Sequence, residues 1–568
     1  MAKVYLDSAD VFTVSNNNVT VYGSTGSEVV TVSASVSGVT LDQNIEQVVF
    51  SGARSSYTYQ QAGNQLLVYS GSTLLCRAPL QDDSNGTQFV FSDGTVDGKI
   101  SATGMTLGGS PLSSAGTSTG TGTSTGTGTG TSTGTGTSAG ASFHASVSSV
   151  DTASMLTTQS SIVKALNGSE KWTSTALTYS FDATRPSDYT GVSVNSTTSG
   201  NLTTGWQPLS ATLSTLASEI ISSIDKLVQL SFSQTSANGD IRFSQVPTTN
   251  SVAAFAYFPG TTPSYSGDVF IDTAIDTSTL GAGGYGQLTI THELGHALGL
   301  KHPFEDGATL PTADDKHSNT LMSYTDYQNL IPVFTSSGSS VNVNYQQIYP
   351  DRFMVYDIAA LQAIYGADTT TQTGNTTYQY GTSPFYASLW DAGGVDTLDL
   401  SATTASNTVD LVPGHYSSIN TRSVSTQAQE QKQTFASQGK TGFDSFIDNA
   451  YNQQSSSIYT GTKNLGIAYG TVIENLVGGS AADTVYDNKV DNDIKTGAGN
   501  DTIVLGAGGY DTIDGGAGTD TISLALTKSQ VTYEAGSNGL IRLVGTTFAA
   551  DLYNVEKLAF TDQTVTLA

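Results

Sequence analysis

Residues 292–302 read HELGHALGLKH. On a helix, His292 and His296 lie one turn apart on a single face, so two imidazole nitrogens converge on one cation with Glu293 beside them. Gly299 leaves right-handed helical geometry at little steric cost, which lets the chain turn and bring His302 back as a third ligand. Three neutral imidazoles suit zinc and leave one coordination position open, which separates a catalytic site from a closed structural one. Water fills that position, and Glu293 has the chemistry of a general base toward it and of an acid toward a leaving amine. The chain has only six histidines, and three of them fall inside this window. A helix that is His-rich by accident would not place them so.

Residues 318–324 read SNTLMSY, with Met322 in a turn and Tyr324 two positions on. The elongated zinc motif followed by this turn resembles the metzincin endopeptidases, and SxxLMSY resembles the serralysin branch. That resemblance implies Met322 as an apolar floor under the imidazoles. It also implies Tyr324 as a phenol that ligates zinc at rest and hydrogen-bonds the oxyanion in the transition state. The resemblance continues through LTYSF at 177–181, FAYFPG at 255–260, GDVFID at 267–272 and YDIAALQAIYGA at 356–367. The strand over Ala254, Phe255, Ala256 and Tyr257, read as a sheet edge, would hold an extended polypeptide substrate in register through backbone hydrogen bonds.

The length of 568 residues suggests three or four domains at about 150 residues each. Charged residues make up only 12% and glycines number 60, the composition of a turn-rich, strand-rich chain. With 21 basic against 48 acidic residues the formal charge is −27, which repels nucleic acid and anionic lipid and suits a protein that meets divalent cations. Cys76 stands alone, so no intramolecular disulfide forms and bound metal is the obvious substitute. No apolar run is long enough to span a membrane, and the start, MAKVYLDSADVF, lacks the apolar core of a secretory signal.

Residues 1–112 read as an all-β module of unknown role. Its segment NIEQVVFSG at 44–52 echoes NVEKLAFTD at 554–562, which suggests related roll-like coils at both ends, although strand and turn chemistry alone can converge on such strings. Residues 113–145 are almost wholly Gly, Ser and Thr and read as a flexible tether spanning about 30 Å. Residues 146–367 form the catalytic unit. Within it, Leu209, Leu213, Leu216, Ile220, Ile224 and Leu227 mark an amphipathic helix, and residues 177–181, 240–246, 252–258 and 268–272 read as strands, an α+β order. His144 and His317 read as loop residues, as do Asp314 and Asp315.

Residues 368–568 carry GGSAADTVY, TGAGNDTIV, LGAGGYDTID and GGAGTDTIS, which match the nonapeptide GGxGxDxUx of calcium-binding parallel β-rolls. The apolar positions Val485, Ile494, Ile503, Ile513 and Ile522 recur every nine or ten residues. Two repeats make one coil, so Asp483, Asp501 and Asp520 should stack on one edge, with Asn492 and Asp511 on the other. The turns of Gly497, Gly499, Gly506, Gly508, Gly516 and Gly518 would offer carbonyls beside them. Several structural calcium ions are expected rather than a full ladder, because Asn492 takes a carboxylate slot and the repeat holding Tyr510 is one residue too long. A roll of this kind resembles those of proteins exported by type I secretion, although the ending DQTVTLA departs from that pattern.

The fold class expected is therefore multidomain: an α+β metzincin-type catalytic domain, a C-terminal parallel β-roll or β-sandwich, and a separate all-β N-terminal domain. The function expected is that of a secreted, monomeric, calcium-stabilised zinc endopeptidase acting on polypeptides. The alternative is a calcium-binding surface or adhesion protein whose N-terminal module docks to a cell-surface or surface-layer component, with proteolysis secondary.

Overall fold

The computed structural model describes residues 2–111 except for 7–10, 15–16, 18, 23–27, 35, 42–44, 63–64, 72, 81–86, 102–103 and 109. It further describes residues 147–149, and residues 160–567 except for 191–201, 250–251, 261–263, 306, 338–339, 536–538 and 546. The chain divides into two compact units, residues 1–136 and 137–568. The Gly/Ser/Thr tether expected over 113–145 lies outside the described residues, as does His144.

In the first unit, short valine-rich strands alternate between two sheets. Ala2–Tyr5, Val19–Tyr22, Val39–Leu41 and Thr73–Pro79 run parallel in one, and Val11–Val14, Val29–Val32, Gln47–Phe50 and Thr87–Phe91 run parallel in the other. Each coil points one apolar set inward, so Val21, Val30, Val39, Val48, Leu66 and Phe89 are wholly buried and Cys76 sits inertly among them. The antiparallel pair Thr58–Ala62 and Gln65–Ser70 is inserted before the last coil and pairs onto Thr73–Pro79. The C-terminal roll has the same device: Thr532–Ala535 and Ile541–Val544 pair onto Ala549–Tyr553. The echo between the two ends is thus architectural as well as verbal. Glu28 N–H donates to Glu46 Oε2 at 3.0 Å just ahead of one pair of rungs, as Asp520 N–H donates to Glu556 Oε2 at 2.7 Å ahead of the other.

In the second unit, the region expected to be catalytic is a mixed sheet ordered Ser231–Thr235, Ala176–Ser180, Ile241–Val246, Val269–Asp272 and Ala254–Ala256. The first four strands are parallel and the last, antiparallel, forms the edge. The amphipathic helix is Ala211–Ile224, capped by Ser210, whose Oγ accepts the Leu213 N–H. It buries Leu213, Leu216, Ile220, Ile221 and Ile224, each contributing about 2 kcal/mol of burial. Leu209 and Leu227 fall outside it. The strand expected over 252–258 is shorter, Ala254–Ala256, although Tyr257 N–H still donates to Asp268 O at 3.1 Å.

The C-terminal roll winds as expected. Thr484–Tyr486, Thr502–Leu505 and Thr521–Leu524 are successive parallel rungs of one sheet, and Asp493–Lys495, Tyr510–Asp514 and Ala549–Tyr553 of the other. Val485, Ile494, Ile503, Ile513 and Ile522 lie between the sheets, buried to within 1%. Two features depart from a purely β reading. Helices Val424–Ser437 and Asp444–Gln453 interrupt the roll, and they pack through Phe435, Ile447 and Tyr451 on a ribbon of Leu330–Ser337 and Ser340–Gln347. The roll is not a free-standing domain either, since Trp390 and Ala468 belong to the catalytic core.

Candidate active site

Helix Tyr285–Ala297 carries the first two histidines and packs against the edge strand. Its end is a Schellman turn: Leu300 N–H donates to Gly295 O and Gly299 N–H to His296 O, both at 2.9 Å. Gly299 has φ +95°, and a Cβ there would lie 2.4 Å from Glu170 O, so both conformation and space demand glycine. The chain then pairs with the strand-like residue Asn167 and delivers His302. Trp172 Nε1 and Tyr365 Oη donate to Ala297 O and Leu298 O at 2.9 and 2.8 Å, which satisfies helix-end carbonyls that water does not reach.

The three ring nitrogens meet. His302 Nε2 lies 3.1 Å from both His292 Nε2 and His296 Nε2. Each opposite nitrogen, Nδ1, points at an oxygen: Leu321 O at 2.7 Å for His292, Leu300 O at 2.7 Å for His296, Glu305 Oε1 at 2.5 Å for His302. Those oxygens can only accept, so each Nδ1 carries the proton and the Nε2 lone pairs face one another. Lone pairs in that arrangement repel unless a cation sits among them. Tetrahedral zinc, at about 2.0–2.1 Å from each nitrogen, spaces its ligands by about 3.3 Å, so the donor set fits zinc in chemistry and in size. Burial, and the neighbouring imidazoles after it, hold His292 well below the ordinary histidine range and His296 down to about 4, which keeps both rings neutral and able to ligate.

Glu293 is buried at the wall of the cleft. Burial pushes its carboxyl up to about 8, while the Ala256 N–H of the edge strand donates to it and works in the opposite direction. Met322 is fully buried directly beneath the helix, with its Sδ 2.7 Å from where a Cβ on Gly295 would sit. Gly295→Ala is therefore expected to destabilise the fold by about 1–3 kcal/mol and to loosen zinc, measured as a lower Tm and a weaker zinc affinity; an unchanged Tm would show that the Met322 turn yields freely. Tyr324 is 66% exposed, with its ring 4.6 Å from that of His302 and 5.7 Å from that of His292. Desolvation on its covered side, with Glu293 and Glu305 nearby, pushes the phenol up to about 12, so it stays a hydrogen-bond donor.

Several supports of this site have no signature in the motif. Asp357, on helix Val355–Tyr365, accepts from Thr320 Oγ1 and from the N–H groups of Leu321 and Met354, tying the Met322 turn to a second helix. Glu305 orients His302. His317, read as a plain loop residue, is buried and lines the cleft beside His292 with its Nδ1 3.0 Å from Asp326 Oδ1.

The Matrixin family of M10 peptidases matches residues 171–332, and the family described as Peptidase M10 serralysin C terminal matches residues 355–427. The chain carries a serralysin-like metzincin unit. It is 29% identical over 296 residues to metalloprotease AprA of Pseudomonas entomophila, covering 47% of this chain and 52% of that one. It is 29% identical over 233 residues to serralysin of Proteus mirabilis, covering 37% of each. It is 30% identical over 289 residues to serralysin of Photorhabdus laumondii, covering 46% and 48%. The chain thus spans about half the length, or less, of the curated relatives it matches.

Below the serralysin-like unit the roll brings the acidic residues into two columns. Asn407 N–H donates to Asp483 Oδ1, Asp483 N–H to Asp501 Oδ1, Asp501 N–H to Asp520 Oδ1, at 2.7, 2.7 and 2.8 Å. On the opposite edge Asn492 N–H donates to Asp511 Oδ1 at 3.0 Å. One oxygen of each rung is thereby used. The second oxygens of Asp501, Asp511 and Asp520 are buried without a partner, as is Asp396 Oδ2 in the preceding turn. Carboxylate oxygens stranded beside carbonyl-rich turns are the donor set of calcium. The turns themselves are too tight for side chains: a Cβ on Gly516 would lie 2.0 Å from Gly497 O, and one on Gly518 still closer to Gly499 O. Gly506 and Gly508 adopt φ near +145° in the turn above 488–490, which lacks glycine. Asp396, in the repeat-like stretch DAGGVDTLDLS at 391–401, extends the columns, as do Glu474 and Glu556, which single-repeat matching does not find.

Proposed function

We propose that this chain is a secreted zinc endopeptidase, stabilised by several calcium ions. The convergence of three Nε2 lone pairs beside a buried carboxyl carries the reading. His292, His296 and His302 would hold the ion, with Tyr324 within reach of it. When bound, zinc supplies Lewis acidity toward a peptide carbonyl and acidifies water. Ala254, Phe255, Ala256 and Tyr257 hold the substrate as an added strand, since Ala254–Ala256 is the last strand of its sheet. Glu293 takes a proton from water and returns it to the leaving amine. Glu293, beside a bound cation, would have its pKa lowered from the metal-free value, into a range where both transfers run near neutral pH. Tyr324 donates its phenolic proton to developing oxyanion charge. Met322 and Gly299 act on the ligands' position alone.

Domain limits follow the same reading: 146–367 catalytic, 368–568 the calcium roll, with 1–112 a second roll joined by 113–145. Among the described residues no helix is long and apolar enough to cross a membrane. Export by type I secretion fits a roll that folds on meeting calcium outside the cell. For the N-terminal roll, whose role the sequence leaves open, we propose docking to a surface component, on a monomer. Deleting residues 1–145 should then spare peptide hydrolysis and abolish retention on cells, whereas unchanged retention would reject docking. The reading of a surface protein with secondary proteolysis is not favoured, because the family matches are to peptidases and three histidine nitrogens converge beside Glu293.

Metal analysis and casein digestion of the purified full chain test the central claim. One zinc per chain, with hydrolysis that stops on chelation and returns with zinc, supports it. Hydrolysis that survives zinc removal rejects it.

A further inference from the structure

We infer that the cleft selects a lysine or arginine at the first substrate residue beyond the cut bond, through Asp326. The inference rests on the endopeptidase reading and specifies its substrates. A cavity of about 360 Å³ opens beside His292 and Glu293. Its lining includes Val252, Ala254 and Leu288, together with His317 and Asp326. No lysine or arginine lines it among the described residues.

The side of the cut bond that enters this cavity follows from the edge strand. Strand Ala254–Ala256 runs from the cavity toward Phe258, whose ring lies 5.5 Å from that of His296. A substrate added antiparallel, the pairing that prevails for added edge strands, runs the other way. Its N-terminal part lies near Phe258 and its C-terminal part near Val252. Glu293, which must reach the leaving amine, also borders the cavity. Both arguments place the leaving group's own side chain there.

His317 Nδ1 and Asp326 Oδ1 lie 3.0 Å apart, with the imidazole N–H donating to the carboxylate oxygen. Oδ2 has only Gln347 Nε2, at a long 3.5 Å, and the side chain is 45% exposed. It has acceptor capacity to spare and faces the space a substrate side chain fills. An aliphatic wall ending in a carboxylate is the chemistry that recognises a long cationic side chain, whose methylenes line the wall and whose head meets the charge.

The full chain, loaded with zinc and calcium, is incubated with a peptide library and the cut positions are read by mass spectrometry. Lysine and arginine should be enriched directly after the cut. For two peptides differing only there, Lys against Leu, Asp326→Asn should lower the kcat/KM ratio about tenfold, and Asp326→Lys should turn preference toward glutamate. A flat or apolar profile at that position, or a ratio that neither variant moves, overturns the inference while leaving the endopeptidase intact. No cleavage of any peptide by zinc-loaded chain overturns the endopeptidase reading and this inference with it.

Discussion

Glu293→Gln is expected to lower peptide hydrolysis by a factor of about 10³ or more while the zinc content stays at that of the parent chain. The amide keeps the size of the carboxyl and can still accept the Ala256 N–H, so the edge strand and helix stay joined. It cannot carry a proton from water to amine, and general acid–base work of this kind supplies about 10²–10⁴ in rate at each transfer. Glu293→Ala should lose as much. What separates a chemical role from a structural one is the effect on stability, which should have the opposite sign. Burial lifts this carboxyl from the ordinary glutamate value of 4.5 to about 8. The folded protein therefore binds more protons here than the unfolded chain between those two values, and metal-free stability falls as pH rises across that window. At pH 7 the penalty is about 3 kcal/mol, and glutamine has none of it. Metal-free Glu293→Gln should be more stable than the metal-free parent at pH 7 and equal to it near pH 4, by denaturant titration. A variant that loses both activity and stability would assign Glu293 to the scaffold instead.

The three histidines proposed as zinc ligands were legible because all of them lie within one helix and its turn, where spacing alone determines direction. Their supports were not. Asp357, Trp172 and Tyr365 act on carbonyls and amides far away in sequence, and nothing in their own neighbourhoods marks them. The edge position of Ala254–Ala256 depends on strand order, which alternation cannot give. The roll was legible for a different reason: a repeated nonapeptide fixes both turn chemistry and register, so the columns of Asp483, Asp501 and Asp520 could be drawn before the fold was seen. The first unit winds in the same way but without glycine-aspartate repeats, and only its echo at 44–52 hinted at coils. Helix Val424–Ser437 was hidden because it buries only Ala428 and Phe435, too few apolar positions to set a period.

Calcium removal is expected to unfold the roll at pH 8 and to matter far less near pH 5. Burial raises six carboxyls in and beside the two columns: Asp511 to about 8, Asp396 to about 6, Asp487, which accepts from the Gly506 and Ala507 N–H groups, to about 6, with Asp483, Asp501 and Asp520 moved in the same direction. In each case the folded state holds protons more tightly than the unfolded chain, so the calcium-free roll is favoured below the unfolded carboxyl range. It loses stability progressively from about pH 4 up to pH 8. Bound calcium would reverse that slope, because it would satisfy the stranded oxygens of Asp396, Asp501, Asp511 and Asp520 and compete with protons for them. Tm in excess chelator should therefore fall by about 15 °C or more between pH 5 and pH 8, and Tm in excess calcium should not fall over that range. Activity should be lost with the roll, since Trp390 and Ala468 pack within the catalytic core and cannot leave it without opening the helix that carries His292 and His296. A calcium-free protein equally stable at both pH values would mean that the columns are satisfied without an ion. A chelated protein that unfolds its roll yet still cuts peptides would mean that the shared core is not what keeps the histidines together.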